Sequence, residues 1–481
     1  MADTIFSGSG KGRNRYRAGD SSIQYKDIRH LVPKQLLRTE TAGLPHLSES
    51  EVVRHFTSMA RKNYGVDDGI YPLGSCTMKY NPKINERIAG HPSFLRIHPY
   101  QRESDVQGTL KVMFELGEML KQITGLDAVS LQPSAGAHGE FAGLLMARKY
   151  YDLKGESRKL VIIPDSAHGT NFSSASMAGF EVIEVRSKRD GTIDLDLLQE
   201  IVGKHAADIA LVMITNPNTL GIFERDILAI SDLMHKNGSL QYYDGANLNA
   251  IIGAARPGDM GFDIVHLNLH KTFSAPHGGG GPGAGPVLVR DYLKGFLPLP
   301  VIGKEGERYY LDEDVENTIG RMKSFYGNFS VCLKAYCYLL SVGDRLKDIS
   351  IDANLNANYL KKKLGRLFDI PYGKNTMHEF VMSARKYREQ GGTALNIAKR
   401  LIDYGIHPPT VYFPAIVEEA MMVEPTETES IESLDKLVDT FKCIVKEIKT
   451  DSRLLEDAPS EAHVKRVDEL RALKEPVLKE S

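Results

Sequence analysis

Apolar positions along the chain fall into two kinds of run that alternate. Short, mostly apolar segments at 160–164, 181–185, 209–215, 240–243, 264–269 and 286–290 read as strands. Between them lie segments with helical spacing, such as 226–237, closed by Gly238. Upstream, a helix over 109–124 leads to a strand over 128–132, and an amphipathic helix carries Phe141, Leu144, Leu145 and Arg148 on one face. Ser48-Glu-Ser-Glu51 is a capping box, followed by Val52, Val53, Phe56, Met59 and Ala60 at helical spacing. Strands separated by helices predict an α/β fold with a mainly parallel sheet and ligands at the carboxyl ends of the strands.

The pattern changes after about residue 295. A long apolar helix is expected from Val331, then helices near 351–368, 392–404 and 428–448, with strands at 379–383, 411–413 and 420–424. The predicted organisation is an amino-terminal arm and active-site loop segment (1–104), a large α/β domain (105–325), a smaller α+β domain (326–450) and a charged terminal helix or tail (451–481). Ser7-Gly-Ser-Gly-Lys-Gly12 loosely resembles a phosphate loop, but it lacks the required spacing and no strand precedes it.

Composition narrows the function. A net charge of −2 supplies no field for nucleic acid or an anionic membrane, and 42% hydrophobic with 25% charged residues is ordinary for a globular protein. No apolar run approaches a bilayer span, and the first twenty residues lack a signal-peptide core. Cys76, Cys332, Cys337 and Cys443 have no metal-ligand spacing, so a reduced, cytoplasmic protein without a metal is expected.

Polar clusters stand at the expected strand ends: 165–171, 216–221, 244–247 and 270–271. The last places Lys271 between His270 and Thr272, ahead of a glycine floor at 278–281 where a ligand can approach the backbone closely. A lysine so placed suits a Schiff base with pyridoxal 5'-phosphate (PLP), whose usual companion is an acid at the pyridinium nitrogen; Asp244, 27 residues upstream, is the candidate. Lys271, Asp244 and His168, the last stacked on the ring, form the expected catalytic set. Ser134, Gly136 and Ala137 open a helix after a strand, where free N–H groups receive a phosphate. Thr170 and Asn216 are candidates for the phenolic oxygen or the phosphate, and Ala246 and His270 complete the cofactor-binding set.

Several long strings resemble one family: Tyr71-Pro-Leu-Gly-Ser-Cys-Thr-Met-Lys-Tyr-Asn-Pro, Asp165-Ser-Ala-His-Gly-Thr-Asn, Asn268-Leu-His-Lys-Thr-Phe and Glu424-Pro-Thr-Glu-Thr-Glu are similar to glycine dehydrogenase (decarboxylating), the P-protein of the glycine cleavage system. The length and Gly320-Arg-Met-Lys-Ser-Phe-Tyr-Gly-Asn resemble subunit 2 of the split bacterial or archaeal form. The resemblance implies a PLP fold type I enzyme, related in fold to aspartate aminotransferase. In it glycine displaces Lys271 from the cofactor, CO2 leaves, and the aminomethyl group passes to the lipoyl arm of H-protein. It also implies a subunit 1 partner in a heterotetramer of two plus two.

The segments 71–79, 97–100 and 405–410 are candidate walls for the lipoyl arm, with Cys76 either facing the dithiolane or structural. Asp244-Gly-Ala-Asn lacks the histidine that many fold type I enzymes place after this aspartate. Arg96, Arg102 and Arg321 are the candidates for a substrate carboxylate, among which the sequence does not choose. Rival readings are another fold type I enzyme, either an amino-acid decarboxylase or a cysteine desulfurase needing a mobile cysteine, and a scaffold subunit without chemistry. Retention of Lys271, Asp244 and His168 argues against the scaffold.

Overall fold

Consecutive apolar residues in the central strands pack in opposite directions, which is why those runs are continuous. Val161, Ile163, Leu211, Met213 and Tyr242 join one core with Ala142, Met146 and Tyr151, while Ile162, Val212, Ile214 and Tyr243 join another with Leu116, Leu120, Val331 and Ala335. The computed structural model describes residues 4–6, 26–40, 45, 47–277 and 283–478. It comprises two units, Met1–Gly65 and Val66–Ser481.

In the first unit the capping box forms: Ser48 Oγ accepts from Glu51 N, and Glu51 Oε2 accepts from Ser48 N at 2.8 Å, opening the helix Glu49–Ala60. Ser7–Gly12 lies outside the described residues.

In the second unit seven strands form a sheet: β1 (Ala128–Ser130), β2 (Leu160–Pro164), β3 (Glu181–Val185), β4 (Ile209–Thr215), β5 (Leu240–Gly245), β6 (Ile264–Leu267) and β7 (Val287–Val289), in the order β1-β7-β6-β5-β4-β2-β3. All neighbours from β3 through β6 are parallel; β7 runs antiparallel to both β6 and β1. β6 stops two residues short of the predicted run because Leu269 N turns to donate to Ala284 O, zipping the base of a loop that leaves the sheet and returns. The sequence reading placed no strands at β8 (Val301–Glu305) and β9 (Arg308–Asp312), an antiparallel hairpin whose run through Gly303, Lys304 and Glu305 has little apolar alternation.

A second sheet has the order β10-β12-β11, from β10 (Phe380–Ser383), β11 (Thr410–Val411) and β12 (Ala420–Val423), all antiparallel. Phe380, Met382, Met421 and Val423 face the helices Leu346–Leu364, Ala394–Asp403 and Ile431–Thr450, while Val381, Ala420 and Met422 pack on Leu220 and Ile222. Where β11 ends, Leu73 bridges to Val423, so residues 72–74 prolong that edge. Among the described residues no helix is long and apolar enough to cross a membrane.

Lys79 ties these pieces together. Its fully buried Nζ donates to Glu427 Oε1 (2.8 Å), Asn249 Oδ1 (2.9 Å) and Tyr338 OH (2.9 Å). Removing one partner of a buried pair leaves the other charge stranded, so Lys79→Met should destabilise the fold by about 3–5 kcal/mol. The urea midpoint reads this directly; a midpoint equal to wild type would show that the clamp carries no net stability.

Candidate active site

Parallel register sets Thr215, Asp244 and His266 side by side on β4, β5 and β6. Asp244 is buried and held from four directions. Its Oδ2 accepts from Thr215 Oγ1 (3.1 Å) and Asn171 Nδ2 (3.1 Å), its Oδ1 accepts from Ala246 N (3.0 Å), and His266 Nε2 is 3.1 Å from Oδ1. Burial alone would push this carboxyl up, but His266, Lys271 and the hydrogen bonds outweigh it and hold Asp244 well below the usual carboxylate range. His266 answers in the opposite sense. Burial would lower it, yet Asp244 and then Glu140 keep it raised. Its Nδ1 lies 3.1 Å from Tyr242 OH, and Glu140 also takes bonds from Thr170 Oγ1 and Ser174 Oγ, each at 3.0 Å. A buried imidazole thus sits between two buried carboxylates.

Lys271 stands just beyond β6 and donates from Nζ to Ser75 O at 2.8 Å. The glycine floor at 278–281 lies outside the described residues, but both legs of its loop are described. Close packing holds them: a Cβ on Gly136 would lie 2.0 Å from Asn268 Oδ1, and one on Gly285 2.0 Å from Ala135 O. The turn after β1 is therefore pressed against the base of the Lys271 loop. That turn opens the helix Gly136–Leu153, whose N-cap Ala135 gives no side-chain cap, so the first N–H groups remain for a ligand. Ser134 is half-buried and Ala137 exposed there.

His270 packs edge-on against His277 at 5.5 Å; burial and then Lys271 lower it to about 3, so it is a neutral imidazole. His168 caps the helix Gly169–Met177 through Nδ1, packs edge-on against Phe413 at 5.4 Å, and is lowered by burial and by Lys271. The remaining candidates carry bonds of their own. Thr170 bridges His168 and Glu140, while Asn216 turns its Oδ1 to Glu224 N (2.9 Å) and its carbonyl to Tyr243 OH. Arg96 is exposed, Arg102 pairs with Asp105, and Arg321 pairs with Glu313 at the surface. The loop 71–79 meets 405–410, with His407 stacked on Tyr71 at 3.6 Å and Thr410 Oγ1 donating to Gly74 O. Residues 97–100 lie instead against Phe325 and Tyr326.

Sequence reasoning missed His266, Glu140, Thr215, Glu379 and Glu424. The available signal was polarity inside apolar runs, as in Ile-Val-His-Leu at 264–267. The donor set suits PLP: a lysine amine at a strand end, an ionised buried carboxylate, an uncapped helix terminus for a phosphate, and buried polar atoms without partners among the described residues at Asn268 Oδ1 and Thr272 Oγ1.

A mainly parallel seven-stranded sheet followed by a small antiparallel one, with the lysine beyond β6, is the architecture of PLP-dependent fold type I enzymes. The fold matches a crystal structure of glycine decarboxylase (P-protein) in inhibitor-bound form with a TM-score of 0.71 at 20% identity, covering 86% of this chain and 94% of that one. It matches a NifS-like protein with a TM-score of 0.62 at 16% identity, covering 79% and 99%. Residues 18–310 match the family model of the glycine cleavage system P-protein, and 350–463 that of the glycine dehydrogenase C-terminal domain. The chain is 55% identical over 479 residues to the probable glycine dehydrogenase (decarboxylating) subunit 2 of Thermotoga petrophila, covering 99% of each. To the protein of the same description in Bacillus licheniformis it is 50% identical over 477 residues, covering 99% of this chain and 98% of that one. The chain belongs to the P-protein family of the glycine cleavage system.

The Asp244–His266 pair sets a pH dependence. His266 is raised, so its stabilisation is complete below the ordinary histidine range and is lost as pH rises through its folded value; Asp244 is lowered, so its share is lost only on acidification. His266→Asn should therefore cost about 3 kcal/mol at pH 6 and less under alkaline conditions. Denaturant titrations of the PLP-free chain at several pH values check this; a pH-independent difference would show that folding does not shift His266, and a difference that grows on the alkaline side would show it to be held neutral.

Proposed function

We propose that this chain is the PLP-bearing subunit of a split glycine dehydrogenase (decarboxylating), removing CO2 from glycine and passing the aminomethyl group to the lipoyl arm of H-protein. The observation that carries the reading is Lys271 leaving β6 beside Asp244, a carboxylate kept ionised by its burial partners. Lys271 would carry the cofactor on Nζ, and Asp244 would keep a proton on the ring nitrogen. When bound, PLP supplies the electron sink that decarboxylation of an amino acid needs. His168, neutral and held by the Thr170 N–H, would cover the ring. Ser134, Gly136 and Ala137 would receive the phosphate at the uncapped helix end, with Ala246 and His270 lining the site. Thr170 and Asn216 would act through the side chains that they already hold.

Residues 105–325 would form the cofactor domain, 326–450 a smaller domain over it, 1–104 the arm and loop segment, and 451–481 a charged tail. The partners are a homologous subunit 1, in a heterotetramer of two plus two, and lipoylated H-protein. The setting is cytoplasmic, in keeping with four unpaired cysteines. A desulfurase reading is disfavoured because Cys332 and Cys337 are buried in the helix Phe329–Val342, where burial pushes the Cys332 thiol up to about 12.

The purified chain, alone and with subunit 1, should gain a visible band with PLP that shifts on adding glycine. Borohydride should then fix the cofactor to Lys271, and Lys271→Ala should lose it. An adduct on another lysine, or a band that answers only to a different amino acid, would overturn the assignment. Asp244→Asn should keep the cofactor but slow decarboxylation by roughly 10²–10³-fold, as expected for loss of a preorganised charge.

A further inference from the structure

Across from Lys271 lies a strap, Ser75-Cys76-Thr77, whose backbone is unusual. Ser75 and Thr77 have φ of 64° and 48°, the left-handed region that non-glycine residues enter only when their surroundings force it. Two carboxylates supply that force. Glu379 Oε2 accepts from Ser75 N at 2.8 Å; Glu424 Oε2 accepts from Thr77 N at 2.9 Å and its Oε1 from Thr77 Oγ1 at 2.6 Å. Both are completely buried and adjoin the paired ends of β10 and β12, where Phe380 faces Val423. Like charges side by side in a core are costly, and burial pushes both carboxyls up. His378 Nε2 is 3.7 Å from Glu379 Oε1 and 4.0 Å from Glu424 Oε1, wider than metal bonds of about 2.0–2.2 Å would set at tetrahedral angles. These carboxylates therefore have a task in holding backbone.

We propose that Glu379 and Glu424 are positioning residues for Lys271: they fix the Ser75–Thr77 strap, and the Ser75 carbonyl is the resting place of the Lys271 amine whenever that amine is not bonded to a carbonyl carbon. The inference rests on Lys271 being the cofactor lysine. The two carboxylates differ in what an amide could replace. Glu379 lies between two N–H donors, Ser75 N and Asn247 Nδ2 (3.2 Å), so a glutamine can accept from one only while its own NH2 opposes the other. At Glu424 the Thr77 hydroxyl can turn round, so a glutamine accepts from Thr77 N and donates to Thr77 Oγ1.

The test uses the full-length PLP-free chain, pulse-labelled with acetic anhydride, with Lys271 acetylation read by peptide mass spectrometry against exposed lysines. Glu379→Gln should label Lys271 about tenfold faster than wild type, as expected when a buried donor is left unpaired, and Glu424→Gln within about twofold. An unchanged rate in Glu379→Gln, or equal acceleration in both variants, would overturn the assignment. Hydrogen exchange on the wild type keeps the proposal testable if Glu379→Gln fails to fold: the Ser75 and Thr77 amides should be protected, and exchange at open-loop rates would overturn it. Borohydride reduction of the wild type with PLP separates the two readings. An adduct away from Lys271 would remove the cofactor assignment, while the labelling and exchange results still decide whether the strap holds the amine.

Discussion

A carboxylate that stays charged in a dry interior is the constraint on which this molecule turns. Asp244 keeps its charge because Thr215, Asn171, Ala246 N and His266 converge on its two oxygens; Ala246 N does so from the adjoining turn, and the three side chains arrive from three other elements. Without them burial would neutralise the group, and the site would lose the anion that gives Lys271 its chemical setting. Parallel pairing makes the convergence natural, since strands that all end at one edge bring their terminal side chains together there.

The second requirement is close approach. The Lys271 loop departs from β6 and returns into β7, and its two legs are wedged against the turn after β1 at separations that leave no room for a side chain on Gly136 or Gly285. This packing aims the start of the helix Gly136–Leu153 at the same region as the lysine. Opposite, the small sheet contributes through its edge, where residues 72–74 continue β11 and carry the Ser75 carbonyl to the Lys271 amine. The site is thus assembled from the large sheet and from a segment attached to the small one, and the buried Lys79–Glu427 pair anchors that segment near its far end.

Much of this was legible in the chain because its signals are local. The runs at 160–164 and 209–215 match β2 and β4, since a strand buried on both faces has to be apolar at nearly every position, while 181–185 matches the edge strand β3, where Glu181 and Glu184 are exposed. Lys271, Asp244 and His168 were visible as candidates because they lie just after such runs. His266 and Glu379 escaped because they sit within or beside apolar strands, where their polarity reads as an interruption of the pattern. The β8–β9 hairpin escaped for a different reason: its strands are short and weakly patterned. Asn216 and Thr170 were visible as polar residues at strand ends, but which way each side chain turns depends on Glu224 and Glu140, 8 and 30 residues away and placed by the fold.

By itself, the sequence determined the α/β class and the order along the chain of the strands in the large sheet's parallel part, and it singled out Lys271 and Asp244 as candidates, because helical and strand periodicity and the punctuation between elements are properties of neighbouring residues. Only the tertiary structure decided that Asp244 shares an imidazole with Glu140, that a strained strap held by Glu379 and Glu424 meets Lys271, and that Lys79 is buried. Those facts depend on groups separated by tens to hundreds of residues arriving within 2.6–4.0 Å of one another, where hydrogen bonds form and burial makes charge pairing obligatory.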